Sequence, residues 1–473
     1  MTPTKHLFAA ALLVAAACSN AFGAASIIIV NENAPGIGFN DTTPAAPVGG
    51  NSGTTLGQQR LIAFTAAANI WAATVTSSVP IRIGASFLPL SCDASSAVLG
   101  SAGTIDIFAD FPNAPKPHTW YPSALAGKLA GVDQIPPTDP HIRARFNSRV
   151  GLFPDCLPGS PFYLGLDKQP GTAVDLVTVL IHEMAHGLGF QSFTDEETGQ
   201  QIEGMPAIWD YFLIDNRNNQ LWVNMTDAQR AASAVSGTGL SWNGPIATAA
   251  VPVVLDPQSA LAVSGPAAGP VAGSYRVGDA SFGPPLQAPG VSGELMPLVD
   301  QADGTGLACT PLSPANAAAV SGNIALVDRG VCAFTVKARN VQDAGAKGMV
   351  VVDNVDADLT GLGGADPAIV IPAVRITKSD GIALKAALQK RSRTASGVNA
   401  SLGIDPTHLA GTDSAQRIRM YAPTVFSPGS SVSHYTTDAK PNQLMEPNLN
   451  GDLSHEVKPP RDLSYPLLQD IGW

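Results

Sequence analysis

The sequence predicts an α+β protein in which one domain, a twisted sheet with a buried helix, is interrupted by a second, smaller β-rich α/β domain. Three observations carry this. The chain has 473 residues, more than a single hydrophobic core usually serves. Apolar residues recur at helical spacing in one early segment and alternate with arginines in another, so helices and strands are both present. Around Ala260 to Gly273 the composition shifts to Ala, Gly, Pro and Val, and the block that follows, to about residue 405, has its own rhythm of short strands and helices.

Taken in order, Ser26 to Val30 reads as a strand, followed by a Gly/Pro/Thr-rich loop to about Thr55. Leu61, Phe64, Ala68, Trp71 and Val75 predict an amphipathic helix over 56–75. Pro80 to Leu88 and Thr104 to Phe111 read as strands, and Ile142, Ala144 and Phe146 alternate with Arg143 and Arg145 as in a half-buried strand. That last strand is also a candidate for pairing with an extended substrate. Asp175 to His186 predicts a second helix, apolar nearly all round and therefore buried, with Thr172 and Asp175 as a capping box and Gly187 and Gly189 ending it. In the later block, strands are expected at Ile324–Val327, Met349–Asp353 and Ile371–Ile376. Helices are expected at Phe334–Ala344 and from Gly381 to Leu388.

The first 23 residues read as an export signal. Lys5 precedes the short apolar run Leu7 to Ala17, and Ala21-Phe22-Gly23 fits a small-x-small cleavage site. No other stretch is long and apolar enough to span a membrane. A secreted location, extracellular or periplasmic, is expected. Losing Lys5 moves the net charge from −11 to −12, and an acidic chain without basic clusters does not suit nucleic acid. With 45% apolar and only 14% charged residues the chain should be globular, and a monomer is expected. Of the five cysteines, Cys18 falls in the leader. The remaining four allow three pairings, and spacing favours Cys92–Cys156 and Cys309–Cys332, each closing a loop within one expected domain.

The chemistry concentrates in His182-Glu183-Met184-Ala185-His186. Histidines four apart on a helix stack on one face and can share one ion, while Glu183, turned about 100° away, can act on water at that ion without being a ligand. Three polar groups inside an otherwise apolar helix are costly without a ligand. Two imidazoles and an open position suit one catalytic Zn²⁺, with Glu183 as general base. A third ligand is needed. Ser192 stands where a short-spaced third histidine would fall and is a poor ligand. Asp195 breaks the spacing, and Glu203 lies beside Gly204 and Pro206 in sequence unlike a helix. The third ligand therefore comes from far along the chain, where His434 and His455 sit in turn-like sequence. His408 and His455 read as surface residues.

His434 is followed by Tyr435, and Met445 lies 445 − 434 = 11 residues further on in Leu444-Met445-Glu446-Pro447. With His182 to Phe190 (HEMAHGLGF), this resembles the leishmanolysin-type metzincins. The resemblance implies a metzincin-like zinc peptidase domain, with His434 as third ligand and Met445 as the Met-turn residue beneath the metal. It leaves His455 and Asp195 open as alternative ligands. The departure is the interval of 434 − 186 = 248 residues, which requires a large insertion.

The insertion has a likeness of its own. Val327-Asp328-Arg329-Gly330-Val331-Cys332-Ala333-Phe334, Ala344-Gly345-Ala346-Lys347-Gly348 and Ile371-Pro372-Ala373-Val374 resemble a protease-associated (PA) domain, which implies a small β-rich module serving substrate access or interaction. Nothing in it pairs a nucleophile with a base. The expected organisation is a signal peptide over 1–23, a zinc peptidase domain over 24–264 and 405–473, and a PA-like domain over 265–404. The expected activity is a zinc endopeptidase acting on polypeptides. The rival is an exported, non-enzymatic binding protein with a structural zinc closed by His455 or Asp195. Asp215, Asn216, Asn218 and Asn219 offer oxygens to Ca²⁺, but without a full loop motif a polar turn is the preferred reading.

Overall fold

The computed structural model describes residues 23–299, 303–304, 306–356 and 359–473, so the expected leader, Gly23 apart, lies outside the described residues. Strands β1 (Ile27–Asn31), β2 (Ile81–Leu88), β3 (Gly100–Thr104) and β4 (Ile142–Asn147) form a four-stranded sheet in the order β1-β2-β4-β3. β1, β2 and β4 run parallel, and β3 closes the edge antiparallel to β4. The arginine-flanked strand is therefore internal, hydrogen-bonded on both sides, and has no free edge to offer a substrate; that edge belongs to β3. The strand expected from Thr104 onward instead precedes it, with only Ile107–Phe108 extended beyond.

Helices α1 (Leu56–Ala72) and α2 (Leu176–Leu188) pack on this sheet and on each other. Trp71 on α1 is fully buried and donates its indole N–H to the Ile181 carbonyl on α2. α2 approaches β4 so closely that a Cβ at Gly187 would lie 2.3 Å from Ile142 Cγ2, which explains a glycine inside the helix rather than after it. The helix ends at Gly189, whose φ of 119° suits a residue without Cβ. The final residue, Trp473, donates its indole N–H to the Leu188 carbonyl at 2.7 Å and so satisfies one of the acceptors left open at the helix end.

A second sheet of eight strands comprises β5 (Pro257–Ser264), β6 (Gly273–Arg276), β7 (Gly278–Asp279), β8 (Val291–Pro297), β9 (Ile324–Asp328), β10 (Gly348–Val352), β11 (Ala373–Ile376) and β12 (Asn399–Leu409), in the order β6-β5-β12-β8-β9-β10-β11-β7. β8 to β11 run parallel. Their side chains alternate between two cores. Ala325, Val327, Met349 and Val351 pack on one face with Ala338 and Val341 of helix α3 (Phe334–Asp343). Ile324, Leu326, Val350 and Val352 pack on the other with Leu384 of helix α4 (Lys378–Ala387). A parallel sheet covered on both faces needs that two-sided apolar pattern. The stretch of altered composition is no loose linker: β5 starts at Pro257 and pairs with β12 and β6. The sheet is joined to the rest of the protein by adjacent strand ends, since the Ala410 N–H donates to the Asp256 carbonyl and the Asp256 N–H to that of Lys440.

Both expected disulfides are present, Cys92–Cys156 and Cys309–Cys332. The first ties the segment leading into β3 to the loop after β4. Among the described residues no helix is long and apolar enough to cross a membrane. The Asp215 carboxylate is paired with the Arg217 guanidinium, so residues 215–219 form an ion-paired polar turn, in keeping with the reading preferred over a Ca²⁺ site.

Candidate metal centre

Helix α2 is fixed at both ends. Its N-cap is Asp175 itself, which accepts from the Val177 N–H at 3.1 Å and the Thr178 hydroxyl at 2.8 Å, so the expected capping box through Thr172 is replaced by a single residue. The same carboxylate meets His455 Nε2 at 2.6 Å. His455 is thus a buried partner of the helix cap and not a surface residue, and it lies outside the one group of histidines close enough to share an ion among the described residues. Asp175→Ala removes the cap and strands a buried imidazole. We expect a loss of about 2–4 kcal/mol, read as a fall in Tm, and a change below about 0.5 kcal/mol would contradict this role.

From this helix His182 and His186 point to one place, and His434 reaches the same place from the C-terminal segment. The three Nε2 atoms lie 3.2 Å from one another. Each Nδ1–H donates to a backbone carbonyl: His182 to Leu444 at 2.7 Å, His186 to Phe190 at 2.7 Å and His434 to Ser430 at 2.9 Å. A carbonyl can only accept, so the proton sits on Nδ1 and each neutral ring turns an Nε2 lone pair inward. Burial holds all three imidazoles below the ordinary histidine range, His186 to about 3, which keeps them neutral. Three lone pairs facing one another with no proton between them call for a cation. Their separation is close to the about 3.3–3.4 Å expected between nitrogens that sit 2.0–2.1 Å from one tetrahedral zinc. Among the described residues no fourth His, Cys, Asp or Glu joins the group.

Glu183 lines the same cleft. Burial pushes its carboxyl up to about 8, against an opposing hydrogen bond from the Ala102 N–H on β3. Gly100 on β3 makes room for it, because a Cβ there would come within 2.9 Å of Glu183 Cγ. The edge strand therefore both borders the cleft and steadies the acid.

Met445 is fully buried, and its carbonyl accepts from the Tyr435 N–H at 2.8 Å, while the preceding carbonyl, of Leu444, holds His182. Three residues that sequence reasoning passed over set this turn. Asp462 accepts from the Leu444 N–H at 2.7 Å, Glu446 from the Gln443 N–H at 2.8 Å, and the Gln443 side-chain oxygen from the Leu463 N–H at 3.0 Å. Tyr435 donates its hydroxyl to the Leu463 carbonyl, so it packs and does not enter the cleft. Asp195 is exposed and engaged with the Thr198 N–H, Glu203 is exposed, and exposed His408 meets Asp405 and Thr407. Ser192 donates to buried Asp210 at 2.6 Å and folds the loop beyond α2.

The cleft holds about 520 Å³ and is lined by residues 97–102 together with 428–430 and 433–434. Among the described residues, the one further titratable side chain lining it besides the triad and Glu183 is Glu196, which burial pushes up to about 7, with Asp210 and Asp195 adding to the shift.

The PA domain family matches residues 291–384, from β8 through most of α4. This stretch is a PA domain. The matched PA domain carries the Cys309–Cys332 disulfide and lies apart in sequence from every residue of the triad. Partial likenesses to whole proteins accompany it. The chain is 38% identical over 97 residues to a probable lipoprotein aminopeptidase, LpqL, of Mycobacterium tuberculosis, covering 20% of this chain and 19% of that one. It is 35% identical over 108 residues to a receptor homology region, transmembrane domain- and RING domain-containing protein of Oryza sativa, covering 23% and 19%. The chain thus spans about a fifth of the length of these curated relatives. Among solved structures it is similar to BSAP, a zinc aminopeptidase from Bacillus subtilis, at 26% identity over 34% of this chain and 36% of that one, with a TM-score of 0.22.

Proposed function

We propose that the protein is an exported zinc endopeptidase of leishmanolysin-like type, in which His182, His186 and His434 hold one Zn²⁺ and Glu183 is the general base. The convergence of three Nε2 lone pairs, with no fourth protein ligand among the described residues, carries this reading. A structural zinc is normally closed by four protein ligands, whereas three leave room for a reactant. His455 and Asp195, the residues that would have closed the site, are engaged with Asp175 and Thr198.

When bound, the ion supplies Lewis acidity toward a peptide carbonyl. The chain's own residues do the rest. Glu183 takes a proton from the attacking water and passes it to the leaving amine. The Leu444, Phe190 and Ser430 carbonyls fix the ring orientation of the ligands and raise their basicity. β3, the free edge bordering the cleft, offers backbone groups to an extended polypeptide, which favours internal cleavage over removal of terminal residues. The PA domain takes no part in the chemistry and serves access or interaction. The two disulfides accord with an extracellular location.

The test is hydrolysis of an internally quenched peptide blocked at both ends. We expect cleavage at an internal bond, abolished by a zinc chelator and restored by added Zn²⁺. Turnover that survives complete metal removal, or activity confined to peptides with a free N-terminus, would overturn the reading.

A further inference from the structure

Most buried or half-buried carboxylates in this protein have evident partners. Asp175 is met by His455, Asp210 by two hydroxyls and the Ala207 N–H, Glu446 by Gln443 and Asn450, and Asp353 by Arg329 and Arg375. Glu196 differs. It is half-buried in the wall of the metal cleft, and its side chain accepts only from its own backbone N–H and, over a long 3.4 Å, from the Ser433 hydroxyl. Ser433 is the neighbour of His434, so this carboxylate stands one contact away from the ligand segment. The side-chain charges that act on it, Asp210 and Asp195, are negative, and among the described residues no lysine or arginine lines the cleft, whose proposed Zn²⁺ is held by the three histidines. A desolvated carboxylate with no cationic side chain paired to it costs free energy until something supplies a direct partner.

We propose that Glu196 is a specificity-determining residue that receives a cationic group of the peptide substrate, an ammonium or guanidinium, beside the metal centre. The inference rests on the peptidase reading for its substrate class. The cation has two sources, the side chain of a Lys or Arg residue or the free α-ammonium of a peptide. A substrate with a neutral or acidic group at that position leaves Glu196 unpaired, so discrimination comes from repulsion as well as attraction.

The test measures hydrolysis and binding side by side on the zinc-loaded full chain. One series of acetylated, internally quenched peptides carries Lys, Arg, norleucine or Glu at each position in turn. A second series has a free N-terminus and no internal basic residue. Binding of the same peptides is followed by fluorescence anisotropy, so the outcome does not depend on turnover. We expect kcat/KM, or affinity, to favour one cationic series over norleucine by about tenfold, the order of one charge-assisted contact. Preference in the acetylated series assigns a side-chain cation, and preference only in the second series assigns the α-ammonium. In Glu196→Gln the ratio should fall toward one, in Glu196→Asp it should be partly kept, and in Glu196→Lys it should turn to favour Glu. Wild type without cation preference in either readout, or a preference undiminished in Glu196→Gln, overturns the proposal. Should no peptide be hydrolysed, the peptidase reading fails, and the anisotropy ratios still decide the role of Glu196.

Discussion

Glu183→Gln is expected to lower kcat/KM by about 10²–10⁴-fold, the range that a positioned acid–base group contributes, while zinc content stays at that of the wild type. The substitution is nearly isosteric. The gap left by Gly100 still fits the side chain, and its carbonyl can still accept from the Ala102 N–H. The three imidazoles and their backbone acceptors are untouched. What changes is the capacity to take a proton, so the loss should fall on kcat. Zinc analysis beside steady-state kinetics checks this. Full turnover in the variant would remove Glu183 from the mechanism. Loss of metal together with activity would make it a structural support of the site.

The second large effect separates two histidines that sequence alone leaves in competition. His434→Ala removes one corner of the triad, and zinc affinity should fall by more than the about 10–100-fold that losing a hydrogen-bond partner of a ligand costs. Activity at limiting zinc should fall with it. His455→Ala should keep its zinc, because that ring faces Asp175 at the helix cap, and should show its effect as a lower Tm. Competitive chelator titration reads the first variant and thermal unfolding the second. If the His455 variant loses zinc and the His434 variant retains it, the ligand assignment is wrong.

The site was legible in the sequence to the extent that its geometry is local. Two histidines four apart on an apolar helix face the same way whatever surrounds them, and His182 and His186 do so here. His434 lies 248 residues from His186, and no spacing rule reaches across that distance; only likeness to a family pattern singled it out. His455 looked like a surface residue because its partner, Asp175, is 280 residues away. Glu196 and Asp462 gave no signal for the same reason: their partners lie on loops brought together by the fold.

The misread elements share a cause too. The Gly-Ser-Ala-Gly-Thr run of β3 lacks the apolar alternation of a strand, because one of its glycines must clear Glu183. The Ala- and Val-rich run of β5 looked like a boundary because its small side chains obscure the strand pattern, although β5 pairs on both sides within the second sheet. The parallel strands β9 and β10, apolar on both faces, were readable from composition alone, since both faces of that sheet are covered.

Anomalous diffraction from crystals of the zinc-loaded protein, collected on both sides of the zinc absorption edge, bears most directly on the convergence of the three imidazoles. One strong peak is expected about 2.0–2.1 Å from Nε2 of His182, His186 and His434, with no fourth protein atom in coordinating reach. A peak at any other set of side chains, or none among these three, would contradict it.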